Sequence, residues 1–375
     1  MRKFFIMCAV IFSTISVSCS QGENTREKYD SQISQMIKDA DIPFIDLIYH
    51  SPETDYRIQC INPEFYDSTR IADGTAIKQP PIMQAASLSK VVFSYIVMKA
   101  VQNGEIDLDT PLYKYTDIDR FKDKETAKKL TARMVLRHRS GLPNWSVAAS
   151  SAEWPTSEIT FKFPPDSCYD YSGEGFAFLQ RAIEAIKGKD IETIAEEEVF
   201  NPLGMTNSSY AWRSEYDTLA VYGYEDRVCE GLRRHPRANV GYTLRTTAED
   251  YAKFLNELMT GTTLRPEIKE MMFTPDTNRA VRFAGLERPC DSSIFWGLGI
   301  GVEKNARHGN ILWHWGDNDT FRALFILMPQ EQTYLLYFTN SNHGHDIVDR
   351  MTALFFDDSE PFALSSWVRD EIGEE

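Results

Sequence analysis

The chain has 375 residues, 42% of them hydrophobic and 12% aromatic, which is enough apolar side chain for a large core and excludes a disordered polymer. Its 55 acidic and 40 basic residues leave a formal net charge of −15. That balance excludes nucleic acid as the expected partner, because such binding rests on Lys and Arg neutralising phosphates.

In chain order, the first signal is a leader. Arg2 and Lys3 precede an apolar run over residues 4–17, which is short for a membrane span but suits the core of a secretory signal. Ser16-Val17-Ser18-Cys19 follows and resembles the lipobox of bacterial lipoproteins, with Ser16 where Leu is usual. The resemblance implies a signal peptide over residues 1–19, export to the cell envelope, and membrane association through a lipid on Cys19. No later stretch is apolar enough to cross a bilayer. With Cys8 lost and Cys19 lipidated, Cys60, Cys168, Cys229 and Cys290 remain. They are far apart and show no Cys-x-x-Cys spacing, so they read as buried free thiols, with one or two disulfides left open.

Helical spacing of Ile33, Met36 and Ile37 predicts a helix over 26–40 that ends before Pro43. Strands follow at 44–50 and 56–61, turning at Ser51-Pro52-Glu53. After the Asp73-Gly74 turn, the segment 84–103 contains an apolar helix opened by Ser87 and closed by Gly104. Between about 108 and 270 the regular pieces are helical, at 131–137, 175–186, 191–199 and 247–259. Strands return at 296–303, 311–315, 321–328 and 333–339, and a helix over 346–355 closes the pattern. The expected fold is α+β: one antiparallel sheet formed from both chain termini, about 26–107 and 271–375, flanked by helices, with a mainly helical inserted lobe over 108–270. The cleft between sheet and inserted lobe is the expected place for a ligand.

Three strings carry chemistry. In Ser87-Leu88-Ser89-Lys90 the i, i+3 relation puts a hydroxyl and an amine on one helix face, a turn apart. A Ser hydroxyl becomes a nucleophile when a neighbouring base takes its proton, and a helix start offers N–H groups to an oxyanion. An N-capping Ser followed by an exposed Lys would produce the same string. Tyr171-Ser172-Gly173, between Pro164-Pro165-Asp166 and the helix near Gly175, offers a phenol that can relay a proton. His314-Trp315-Gly316-Asp317 ends a strand: Gly316 permits close backbone approach, the N–H of Asp317 is a candidate donor, and Trp313 and Trp315 are expected to divide between core and cleft.

These elements, in this order, resemble the serine β-lactamase and penicillin-binding-protein superfamily. The class C-like branch, with its D-Ala-D-Ala carboxypeptidases, D-aminopeptidases and esterases, is the nearest in pattern. Supporting strings are Leu136-Arg137-His138-Arg139-Ser140-Gly141-Leu142-Pro143, Phe200-Asn201-Pro202-Leu203-Gly204-Met205, Thr246-Thr247-Ala248-Glu249-Asp250 and Trp296-Gly297-Leu298-Gly299, so the likeness covers nearly all of the mature chain. It implies that Ser87 is acylated, that Lys90 and Tyr171 handle its proton, with the general base left open between them, and that the N–H groups of Ser87 and Asp317 form the oxyanion hole. Gly173, His314, Trp315 and Gly316 would then line the substrate, which is a small molecule or peptide: an ester, a D-amino-acid peptide or a β-lactam. No metal or organic cofactor is implied, and nothing bears on oligomeric state. The competing reading is a catalytically silent, lipid-anchored module that binds cell-wall peptides or a partner protein.

The chain departs from the family pattern twice. Gly173 stands where Tyr-x-Asn has an amide, and His314, with a partial charge expected near neutrality, stands where Lys-Thr-Gly has a cation. Two further strings carry less. Gly297-x-Gly299-x-Gly301 is expected inside a strand, where it flattens one face, and His343-Gly344-His345 is expected as a solvated helix start.

Overall fold

The computed structural model describes residues 16–65, 77–276, 292–356 and 361–372. Residues 1–15 of the expected leader, the side chain of Cys19, and Cys290 lie outside the described residues. The longest helices among the described residues are α1 (Ser16–Asp39), α2 (Ser89–Gln102), α3 (Gly173–Lys187), α4 (Ala248–Met259), α5 (Val348–Phe356) and α6 (Ala363–Ile372). Strands of the main sheet are β1 (Phe44–Ser51), β2 (Thr54–Ile61), β3 (Ile294–Trp296), β4 (Gly301–Asn305), β5 (Gly309–Asp317), β6 (Arg322–Met328) and β7 (Thr333–Thr339).

The sheet runs β2-β1-β7-β6-β5-β4-β3, and every neighbouring pair is antiparallel. Its middle is the seam between the two ends of the chain, where Ile45 of β1 stands opposite Thr339 of β7. The expected antiparallel sheet of both termini is therefore the observed one. Side chains alternate between its faces. Ile45, Leu47, Leu324, Ile326, Leu335 and Tyr337 pack with α1, α5 and α6. Ala323, Phe325, Leu336 and Phe338 pack with α2 and α4. Because both faces are covered, β6 and β7 are buried at every position, which is why they read as unbroken apolar runs.

The structure corrects several local expectations. The strand expected over 296–303 is two strands, β3 and β4, joined by a turn in which the Gly297 N–H donates to the Ile300 carbonyl at 2.8 Å. Gly299 in that turn has φ +80°, and a Cβ on it would stand 1.8 Å from Ser94 Oγ of α2. The glycines bring the turn onto the central helix; they do not flatten a face. Trp313 and Trp315 sit on one face, because residues two apart in a strand must. Both pack on Trp367 of α6, at ring distances of 5.1 and 4.6 Å. His345 is buried, not solvated, whereas His343 is half-exposed between Asp226 and Asp346. Cys60, Cys168 and Cys229 are free thiols, half-buried and not fully enclosed. Among the described residues no helix is long and apolar enough to cross a membrane.

Candidate active site

Ser87 lies in a 3-10 turn, Ala86–Leu88, that leads directly into α2. The turn is tied down on both sides. Ala85 N–H donates to the Leu244 carbonyl, and Leu244 N–H donates to Ser89 Oγ at 3.1 Å. Ala86 is held at φ +45°, an uncommon conformation for a residue with a Cβ, which persists only where the surroundings impose it. One such neighbour is β5. A Cβ on Gly316 would stand 2.6 Å from the Ala85 carbonyl oxygen and 3.1 Å from the Ala86 Cβ, so only glycine lets the strand come this close.

Lys90 is almost completely buried, and its Nζ lies 3.1 Å from Ser87 Oγ and 2.7 Å from the Gly241 carbonyl oxygen. The i, i+3 spacing thus delivers the contact it promised. Nζ also stands 4.6 Å from the centroid of the Tyr171 ring, a cation–π distance. Tyr171 is sandwiched: the His138 imidazole stacks on it at 4.2 Å, and Trp315 approaches at 4.8 Å. Trp315 is therefore a support beneath Tyr171 and is itself only 5% exposed.

Two buried histidines flank this centre. His138 Nδ1 accepts the Ser172 N–H at 3.1 Å, which places its proton on Nε2. His314 Nδ1 lies 2.6 Å from the Trp315 carbonyl oxygen; since a carbonyl only accepts, that nitrogen carries the proton. Burial first, and the charge of Lys90 second, push His314 down to about 3 and hold His138 well below the ordinary histidine range. Both rings are neutral at physiological pH. The partial charge expected on His314 is corrected to none, because a buried ring beside an ammonium cannot afford a second charge.

The end of β5 presents a donor. Asn318 N–H donates to the Phe321 carbonyl, and antiparallel ladders alternate, so the next pair, Asp317 opposite Arg322, exchanges no ladder bonds. The Asp317 N–H consequently points away from β6. On its other side β4 has already ended, its last pairing with β5 being Gly301 opposite Trp313. The N–H lies on the side of β5 that β4 no longer borders, next to the strand position that touches the Ser87 turn. The Asp317 carboxylate is paired with Arg322.

Gly173 opens α3, its N–H donating to Asn144 Oδ1 at 3.0 Å. A Cβ on Gly173 would stand 2.3 Å from the Trp145 ring, and one on Gly241 would stand 2.9 Å from the same indole. Trp145 therefore fills the space between the Tyr171 segment and the turn that holds Lys90. That turn is fixed by Asn239, whose Oδ1 accepts the Gly241 N–H at 2.8 Å. His138, Trp145, Asn239 and Gly241 were given no site role by sequence reasoning. The Leu136–Pro143 string signalled the segment of His138, whereas nothing local marks Asn239 or Gly241, whose carbonyl meets Lys90 from 151 positions along the chain.

The β-lactamase family model matches residues 69–356, about three-quarters of the chain, and spans Ser87, Lys90, Tyr171 and the end of β5. The chain belongs to the β-lactamase family. Over 143 residues, 36% of this chain and 38% of its relative, it is 26% identical to penicillin-binding protein 4 of Amycolatopsis lactamdurans. Over 157 residues, 39% and 41%, it is 26% identical to the D-alanyl-D-alanine-carboxypeptidase/endopeptidase AmpH of Escherichia coli K12. Over 166 residues, 36% and 41%, it is 24% identical to the lovastatin esterase of Penicillium rubens. The matches span about two-fifths of these relatives' lengths. In fold it is similar to a class C β-lactamase, with TM-score 0.72, 14% identity, and coverage of 92% of this chain and 99% of the other. It is also similar to the octameric penicillin-binding protein homologue of Pyrococcus abyssi, with TM-score 0.72, 18% identity, and coverage of 92% and 80%.

Against the family pattern, both departures have a physical content. The amide missing at Gly173 is not simply absent, since the Trp145 indole occupies its space. The missing cation at His314 is replaced by a buried neutral ring, and Lys90 is the ammonium beside it.

Proposed function

We propose that this protein is a serine hydrolase that forms an acyl-enzyme on Ser87 and turns over small esters or D-amino-acid peptides better than β-lactams. The 3.1 Å contact between Lys90 Nζ and Ser87 Oγ carries the reading. In the first step Ser87 Oγ bonds to the substrate carbonyl carbon while its proton passes to the Lys90–Tyr171 pair, which enters the step one proton short of full protonation, the general base being left open between the two. The tetrahedral oxyanion takes hydrogen bonds from the N–H groups of Ser87 and Asp317. The bond to the leaving group then breaks, and the leaving group takes up the proton. In the second step water gives a proton to the same relay, attacks the acyl carbon, releases the acid and restores the Ser87 hydroxyl.

The substrate preference rests on charge and shape. A β-lactam presents a carboxylate and an acyl-amide, while His314 offers no charge and Trp145 an apolar surface in place of an amide. A hydrogen bond to a charged group is typically worth about 1.5–3 kcal/mol, so its loss lowers kcat/KM roughly ten- to a hundredfold. An uncharged ester makes neither demand. The test is a substrate panel read by intact-protein mass spectrometry, with kcat/KM for a p-nitrophenyl ester and a chromogenic cephalosporin. An acyl adduct on the wild type and none on Ser87→Ala is expected, with the ester the faster substrate. Cephalosporin turnover above about 10⁴ M⁻¹s⁻¹, as for ordinary enzymes on good substrates, with a negligible ester rate overturns the preference. Failure of every acyl donor to label Ser87 would favour a silent binding module.

Export and anchoring through Cys19 belong to the same proposal. Cys19→Ser is expected to move the protein from the membrane fraction to the soluble one, and an unchanged detergent requirement refutes the anchor.

A further inference from the structure

We infer that His345 is a positioning residue that aims the oxyanion-hole donor of Asp317, by holding the carbonyl at the other end of the same peptide plane. This rests on the reading of Asp317 N–H as an oxyanion donor. His345 is buried, and its Nε2 lies 3.2 Å from the Gly316 carbonyl oxygen. A carbonyl only accepts, so Nε2 carries the ring proton and donates it. Nδ1, 3.3 Å from the Tyr337 hydroxyl, then takes that hydroxyl's proton as acceptor. The ring is held at both ends in one neutral tautomer, which burial favours.

The Gly316 C=O and the Asp317 N–H belong to one planar trans peptide and point in opposite directions, so a plane fixed at its oxygen is fixed at its nitrogen. The restraint answers a specific weakness. Position 316 must be glycine, because a Cβ would run into Ala85 and Ala86. Glycine has the freest backbone, and here it sits where β4 no longer borders the strand. The ladder to β6 holds one side of the Gly316–Asp317 unit, opposite Ala323. His345 supplies a second grip on the same oxygen, from a segment that follows β7, backed by Tyr337 on that strand. No contact between His345 and Ser87, Lys90 or Tyr171 is required; its effect passes through the peptide.

The test compares His345→Phe, which keeps a ring but has no donor, with His345→Gln, whose amide nitrogen can take the place of Nε2. Removing an oxyanion donor outright costs about 10²–10³ in kcat, so a donor that is present but loosely aimed should cost less, on the order of tenfold. For a chromogenic ester, kcat is expected to fall about tenfold in His345→Phe, with KM within twofold, and to recover in His345→Gln. Tyr337→Phe is expected to give a smaller loss in the same direction. Infrared difference spectra of the acyl-enzyme, with a ¹³C-labelled acyl carbonyl, supply a readout that packing alone does not move. The carbonyl stretch should shift to higher wavenumber in His345→Phe, as its hydrogen bonds weaken, and return in His345→Gln. Equal losses in the Phe and Gln variants with an unmoved carbonyl band would overturn the inference and leave His345 a core residue. If the wild type forms no adduct on Ser87, the hydrolase reading itself fails and takes the inference with it; if the adduct forms and only the band is unresponsive, the role of His345 alone fails. Should His345→Phe not fold, Tyr337→Phe and the band of His345→Gln still decide.

Discussion

Ser87 and Lys90 were legible because a helix fixes what i and i+3 can do, and Lys90 Nζ stands at hydrogen-bonding distance from Ser87 Oγ. Its neighbours were less so: His138 and Tyr171 meet face to face across 33 positions of chain, and no local pattern announces that stack. Ser87→Ala is expected to abolish turnover while leaving the melting temperature near that of wild type, since it deletes one oxygen from a half-buried turn. Lys90→Ala and Tyr171→Phe are each expected to lower kcat by about 10²–10⁴-fold, the usual worth of positioned proton transfer. Their losses should combine less than multiplicatively, and strictly multiplicative kinetics in the double variant would count against a shared relay. Another residue makes a pH prediction. Asp46 on β1 is fully buried, and burial pushes its carboxyl up to about 6, against the opposing charge of Arg57. The folded value lies above the unfolded one, so the fold penalises the ionised form. Asp46's contribution to stability is therefore greatest below about pH 4 and falls as pH rises toward and through 6, the total loss from this group being on the order of 3 kcal/mol. Asp46→Asn should accordingly match wild type in urea unfolding at pH 4 and exceed it at pH 8; a variant equally stable, or weaker, at pH 8 contradicts the penalty.

At the scale of elements, strands with plain turn chemistry were read almost to the residue, as in β7, where the expected 333–339 is the observed Thr333–Thr339. The reading failed where tertiary contact decides the backbone. Three glycines at spacing two look like a strand, yet Gly299 takes φ +80° because its N–H reaches the Leu136 carbonyl and its missing Cβ makes room for Ser94. His343-Gly344-His345 looks polar, yet one histidine is sealed against β5 and the other left near solvent, a difference created by packing alone. Gly299→Ala is expected to destabilise by about 2 kcal/mol or more, combining a positive φ with overpacking. Adding Ser94→Ala should not restore the loss, because the Ser94 Cβ itself would stand only 2.5 Å from the new methyl. Denaturant midpoints of the two variants check both statements, and full rescue by Ser94→Ala would show that only the hydroxyl matters.

In the whole molecule, the site is assembled from four distant stretches: the start of α2, the approach to α3, the Gly241 turn and the end of β5. The order of three of these was visible in the sequence and carried the fold with it. What was not visible is how the site is braced from behind, because α6 was not foreseen at all. Trp367 of α6 is fully buried and packs edge-on against Trp313 and Trp315, and Trp315 in turn supports the Tyr171 ring 4.8 Å away. α6 is itself tied to the strand beside β5, the Leu364 N–H donating to Glu303 of β4 at 2.8 Å. A side chain some 280 positions from Ser87 thereby stands two ring contacts from Tyr171. Trp367→Ala should leave a cavity costing about 3–5 kcal/mol. With an unfolding entropy of about 2.1 cal/mol/K per residue, that lowers the melting temperature of a chain this size by roughly 5 °C. It should also lower kcat at temperatures where the variant is still folded, as Trp315 relaxes into the space and Tyr171 loses its support. Trp367→Phe keeps a ring against both tryptophans and should retain most of the activity and most of the melting temperature. Calorimetry and ester kinetics on the two variants separate the effects. A Trp367→Ala protein that melts 5 °C lower but keeps wild-type kcat at 20 °C would show that α6 stabilises the sheet without bracing the site.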